Sequence, residues 1–276
     1  KRASFSGMLY FITQDERYAQ FTADILAYYI DKIAVRTPQL TTIGGNYFYD
    51  SRATYPHLAI AYDFVYNFLK KPGTKVYSRS TETYVNYDHT KGQKAIKNIV
   101  GNALAEYKGT DNKIGKLISN HPVLTATGSL FSILMVEDDL ERERLFDVFW
   151  VKGTSRQNSF TKTILPLFGE QGIWPESLSY SFMPNISLIL NMVDRYKPGL
   201  DISGENLNIF NGNFIFSNLR HPNRRFVRYG DSKRDNDGTA TNYRYALDIA
   251  KRRNLSELEQ RSEVALNQNY KANGGY

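Results

Sequence analysis

The chain has 276 residues, with 35 Lys and Arg against 28 Asp and Glu and a formal charge of +7. Its 41% hydrophobic and 23% charged content is that of a folded protein and excludes disorder over most of the length. The absence of cysteine excludes disulfides, thiolate metal sites and a cysteine nucleophile, and no apolar run approaches the ~20 residues of a membrane helix.

Helical periodicity dominates in chain order. From Asp15 to Val35 apolar residues recur at Tyr18, Phe21, Ile25, Tyr28, Tyr29 and Ile33, the spacing of one helix face. A loop with Gly44-Gly45 follows. The next helix spans Ala53 to Leu69, with His57, Ile60, Ala61, Phe64 and Phe68 as its stripe, and Pro72-Gly73 stops it. Thr74 to Thr90 is polar and Tyr-rich and reads as a loop or an irregular excursion. Further helices are expected over Lys91–Tyr107, with Ala95, Ile99, Ala103 and Leu104 inward, and over His121–Val136, Asp138–Val151 and Ser155–Phe168. Another ends near Tyr196. Beyond Gly204, Phe214-Ile215-Phe216 reads as a short strand or packed loop, Asp231–Thr241 as a linker, and Ala246–Asn267 as a final helix region. About seven helices without an exact repeat point to an all-α fold built from antiparallel helix hairpins, with little or no β structure. The chain opens on Lys1-Arg2 without a signal-peptide pattern, as expected of a mature or trimmed form.

The unusual feature of the composition is its aromatic content: 20 Tyr, 16 Phe and 2 Trp. Tyrosine joins an apolar ring to a polar tip. With the basic balance, this suits a cleft for a polar, acidic polymer, and it equally suits a basic protein with a Tyr-rich core.

Four histidines narrow the search for chemistry: His57, His89, His121 and His221. Asn120-His121-Pro122 sits where a helix should begin, because proline suits the first helical position. Asn120 can cap that helix. The same N-terminus, with its unpaired N–H groups, also favours a substrate carboxylate. The Gly-rich string Gly169–Tyr180 presents Trp174, Glu176 and Tyr180 ahead of a helix with Pro184 in its first turn. Trp174 there suits a sugar platform, whereas Trp150 lies in an apolar helical stretch and reads as core. His57 lies on an apolar helix face, where a hydrogen-bonded core histidine is the commoner case. His89 lies in a polar stretch and reads as solvated. No spacing matches a metal site, a phosphate-binding loop or a nucleophile elbow, and the basic residues are too dispersed for a nucleic-acid motif.

Taken together, these strings resemble the α/α-toroid polysaccharide lyases of the heparinase II/III and alginate lyase group. Asp50-Ser51-Arg52-Ala53 leading into Leu58–Asp63 resembles the helix after an Arg-bearing turn in those enzymes. Ser119-Asn120-His121 resembles their Asn-His pair, and Gly172-Ile173-Trp174-Pro175-Glu176 with Tyr180 resembles their Gly-x-Trp-x-Glu-x-x-x-Tyr segment. Arg228–Ser232 resembles their Gly-Asp-Ser closure. The resemblance runs from about residue 10 to 255. It departs where Ser181 stands in place of a His and where a large β-sheet domain is not seen in this sequence.

The resemblance implies an incomplete (α/α) toroid catalytic domain over residues 1–230. Residues 231–276 would then form a helical extension or linker toward a β-sheet domain. It also implies β-elimination in an acidic, uronate-containing polysaccharide, in the periplasm or outside the cell, with no cofactor or metal. Asn120 would neutralise the uronate carboxylate and Tyr180 would act as acid, base or both. His121 is the other candidate base. Arg52, His57, Trp174 and Glu176 would line or brace the subsites. The competing readings are a glycoside hydrolase using carboxylates such as Glu176 and Asp231, and a non-catalytic protein that binds acidic glycans. No nucleic-acid partner and no membrane insertion are expected.

Overall fold

The computed structural model describes residues 1–43, 49–104, 119–154, 157–176, 183–219, 227 and 239–272. The chain divides into two compact units, Lys1–Lys162 and Thr163–Tyr276. Helices make up most of both, so the fold is all-α. Among the described residues the only sheet is one two-stranded hairpin, and no helix is long and apolar enough to cross a membrane.

The first unit contains α1 (Arg2–Thr13), α2 (Glu16–Ala34), α3 (Tyr55–Leu69), α4 (His89–Leu104), α5 (His121–Leu134) and α6 (Asp139–Asp147). Helix α1 is not among the elements expected from periodicity, because it lacks an inward apolar stripe. It buries Ala3, Ser4, Ser6 and Gly7 and turns Phe5, Phe11 and Ile12 outward. Gln14 ends it in the left-handed region at φ 57°. Asp15 then opens α2, its carboxylate accepting from the Arg17 N–H at 3.0 Å.

The buried face of α2 differs from the expected one. Ala19, Thr22, Ala23, Leu26, Ala27, Ile30, Ile33 and Ala34 are buried, while Tyr18 and Phe21 are exposed. Helices α1, α3 and α4 all pack on α2. Close approach on that many sides selects small side chains and leaves the rings outside. Helix α3 shows the same shift: Tyr55, Leu58, Ala59, Ala61, Tyr62, Val65, Phe68 and Leu69 are buried, and of the expected stripe only Ala61 and Phe68 are. The inward set of α4 is as expected, with Ala95, Ile99, Ala103 and Leu104 all buried.

The stretch read as a loop contains a hairpin, β1 (Lys75–Ser78) and β2 (Thr83–Asn86), with Val76 opposite Val85 and Tyr77 opposite Tyr84. Its alternation was hidden because β2 is exposed throughout. The hairpin is tied to α2 by polar groups. Asp24 Oδ1 accepts from the Tyr77 N–H at 2.8 Å, and Gln20 Nε2 donates to the Lys75 carbonyl at 2.9 Å.

The region expected as a helix over Ser155–Phe168 contains two short turns, Phe160–Ile164 and Leu165–Phe168. Trp150 is core as expected, stacked between Phe146 (5.5 Å) and Phe160 (4.9 Å).

In the second unit, α7 (Met183–Tyr196) leads through the short α8 (Ile202–Glu205) into α9 (Leu207–Asn218). Helices α10 (Thr239–Arg253) and α11 (Ser256–Ala272) follow. Phe214-Ile215-Phe216 is helical rather than a strand. Ile209, Phe210 and Phe214 give α9 its buried side, and Phe214 stacks on Tyr243 of α10 at 5.4 Å. The expected final helix is two helices, broken at Asn254, whose φ of 55° needs the left-handed region that asparagine tolerates. A domain boundary at residue 230 falls outside the described residues.

Candidate functional site

Helix α5 carries Asn120 and His121 at its N-terminus, with Pro122 in the first turn. Asn120 is buried, and its side chain makes no capping hydrogen bond to the helix. Capping therefore does not account for an asparagine at this position. His121 is half-buried, and its N–H donates to the Ser119 hydroxyl at 3.3 Å.

A buried glutamine fixes the start of α5. Gln157 is 1% exposed, donates from Nε2 to the Pro122 carbonyl at 3.1 Å and accepts from the Thr125 hydroxyl at 2.6 Å. Its own N–H donates to Thr154 Oγ1 at 3.1 Å. These bonds set the angle at which Asn120 and His121 are presented. Sequence reasoning missed Gln157, because it falls inside the stretch Ser155–Phe168 expected as a helix, where a lone glutamine reads as a solvated position.

The middle of α5 is held by backbone contact. A Cβ on Gly128 would lie 1.8 Å from the Ser51 carbonyl oxygen, so the turn Asp50–Thr54 rests directly on the helix. That turn carries Arg52, which is exposed, with its guanidinium 6.0 Å from the Tyr49 ring. Asp50 is fully buried and accepts from the Ile43 N–H at 2.7 Å.

The other candidates lie elsewhere in the first unit. The Ser4 hydroxyl and His57 Nδ1 are 3.2 Å apart, so His57 joins α3 to α1. Burial, with nearby positive charge, pulls the His57 pKa below the ordinary 6.5. His89 is not simply solvated. Its Nε2 lies 2.6 Å from Glu137 Oε1, and its ring meets the edges of Tyr66 and Tyr87. Burial pushes the Glu137 carboxyl up, but the Tyr66 hydroxyl, His89 and Lys70 outweigh it and hold the group below its ordinary 4.5.

In the second unit, Trp174 is 1% exposed and packs its ring on Phe168 at 5.1 Å. It offers no open face for a sugar. Its Nε1–H donates to Glu176 Oε2 at 2.8 Å, so the tryptophan orients the carboxylate. The loop carrying both is clamped to α9. Gly172 has φ +67°, and a Cβ there would lie 1.9 Å from the Asn208 carbonyl oxygen. Asn208 Nδ2 also donates to the Gly169 carbonyl at 2.8 Å. The glycine of the Gly-x-Trp string thus has a packing reason.

Tyr180 and Asp231 lie outside the described residues, as do Arg228, Gly230 and Ser232. Asn120, His121, Arg52 and His57 belong to one unit and Trp174 and Glu176 to the other. Among the described residues no cluster of His, Asp and Glu could hold a metal ion.

Residues 170–276 match the family described as the second domain of endo-acting ulvan lyase. Over 274 residues, 99% of its length, the chain is 56% identical to an endo-acting ulvan lyase of Formosa agariphila. It spans 34% of that relative. No solved structure matches the chain.

Proposed function

We propose that this chain is the helical part of an endo-acting polysaccharide lyase, with ulvan as its polymer. The observation that carries the reading is the 56% identity to an endo-acting ulvan lyase along nearly the whole chain. The remainder of such an enzyme, including a β-sheet domain, would lie in the two thirds of the relative that this chain does not span. A toroid arrangement of the helix pairs belongs to the same reading. A polysaccharide substrate implies the periplasm or the outside of the cell as the place of reaction.

The chemistry is β-elimination at a uronate. A base removes the C5 proton, the C4–O4 bond breaks, a C4=C5 double bond forms, and O4 leaves with a proton. The C5 proton is weakly acidic until the neighbouring carboxylate is neutralised and the enolate stabilised. The amide of Asn120 can donate to that carboxylate. Its burial at the start of α5 supports this role. Tyr180 protonates the leaving O4, which asks for no shift from a tyrosine's ordinary pKa of ~10. The base is His121 or Tyr180. Glu176, oriented by Trp174, and Arg52 and His57 are the further candidates for lining or bracing the subsites.

Mass spectrometry of the ulvan fragments tests the reading. Elimination products are lighter by one water than hydrolysis products of the same length. Fragments carrying that water would instead assign the chain to the hydrolases.

A further inference from the structure

At the opposite end of α5 from Asn120 and His121 lies a cavity of about 400 Å³ in the first unit. Its walls include Tyr62, Asp63, Tyr66, Lys70, Glu137 and Arg142. The thirteen steps from His121 to Leu134 rise 1.5 Å each, so the cavity is about 20 Å from the start of α5. Its size lies at the lower end of small-molecule pockets, roughly 300–1,000 Å³.

Three features of the walls go together. The half-buried Tyr66 ring gives the wall an aromatic face, with the buried Tyr62 ring 5.9 Å from it. Lys70 Nζ donates to the Tyr66 hydroxyl at 2.9 Å and lies 3.7 Å from Glu137. The third is Glu137, whose Oε1 lies 2.6 Å from His89 Nε2, the His89 ring meeting the edges of Tyr66 and Tyr87. The cluster is also built in. A Cβ on Gly92 would lie 2.2 Å from the Tyr87 hydroxyl, so α4 gives up a side chain there to admit the tyrosine.

An aromatic wall, a carboxylate acceptor and a partly exposed lysine match a sugar that carries both hydroxyls and a carboxylate. The ring packs on tyrosine, hydroxyls donate to Glu137, and the sugar carboxylate meets Lys70. We propose that this pocket is a second, non-catalytic saccharide site that holds one uronate residue of the polymer away from the point of cleavage. The inference rests on the ulvan lyase reading for the identity of the polymer. A second hold of this kind raises the effective concentration of chain at the cleavage site.

Electrophoresis of the folded chain through native gels containing ulvan, with hydroxyethylcellulose as the uncharged control, tests it. Lys70→Glu should weaken retardation by ulvan about fivefold, and Lys70→Met by two- to threefold, with mobility in the control gel shifted only by the charge change. If Lys70→Glu loses its helical circular dichroism, Lys70→Met carries the test. Wild-type retardation in both folded variants would overturn the pocket, as would equal losses in the two gels. Formation of unsaturated product by the wild type is read separately. Product with Lys70-independent retardation removes the pocket and keeps the lyase. Lys70-dependent retardation without product keeps a glycan site and removes the lyase.

Discussion

The carbonyl oxygen of Ser51 occupies the space into which a Cβ on Gly128 would project, 1.8 Å from it. This contact seats the Arg52-bearing turn on the helix that begins with Asn120 and His121. An Ala for Gly in an ordinary helix stabilises by up to about 1 kcal/mol. Here the sign reverses. Gly128→Ala should destabilise the chain by about 3 kcal/mol or more, because backbone, rather than a flexible side chain, must move. Urea unfolding measures it, and a variant as stable as the wild type would contradict the contact.

Trp174 is expected to act through folding and through Glu176. Trp174→Ala removes a fully buried indole and should cost about 3–5 kcal/mol. Trp174→Phe keeps the ring packing on Phe168 but leaves Glu176 without its indole donor, a loss of about 1–2 kcal/mol. Thermal denaturation separates the two variants. Equal melting temperatures for wild type and Trp174→Ala would restore the tryptophan to a surface platform.

Glu137 gives a pH dependence with a defined sign. Its carboxyl is held below the ordinary 4.5, so the ionised form favours the folded state. The contribution is present above pH 4.5 and is lost as pH falls through the lowered value. Glu137→Gln should therefore cost about 1 kcal/mol at pH 7, and the difference from wild type should shrink below pH 4.5. A stability gap constant from pH 7 to pH 3.5 would show that packing, not charge, is what Glu137 supplies.

Asn120→Ala is predicted to lower kcat by about 100-fold with a smaller change in KM, since the amide acts on charge that develops in the transition state. Steady-state kinetics on ulvan decides this. A rise in KM alone would move Asn120 from carboxylate neutralisation to ground-state binding.

The helices were legible where periodicity was carried by side chains that pack inward. Ala95, Ile99, Ala103 and Leu104 behave in this way. The reading failed on α1 and α2, whose small residues face inward while Phe5, Phe11 and Phe21 face out. An apolar-residue pattern cannot report a face chosen for close approach. The hairpin was hidden for a related reason, since one of its strands buries nothing. The helix start at Asn120 and His121 was legible because proline marks it. Gln157, Ser51 with Gly128, and the His89–Glu137 pair were not, because they act through contacts between residues distant in sequence.

The most direct test of elimination is the ultraviolet absorbance of the new C4=C5 double bond while the chain is incubated with ulvan, wild type beside Tyr180→Phe. The account predicts a steady rise for the wild type and a rate at least about 100-fold lower for the folded variant. A wild-type rate matched by Tyr180→Phe would contradict the assigned acid. Depolymerisation of ulvan with no rise in absorbance would contradict elimination itself.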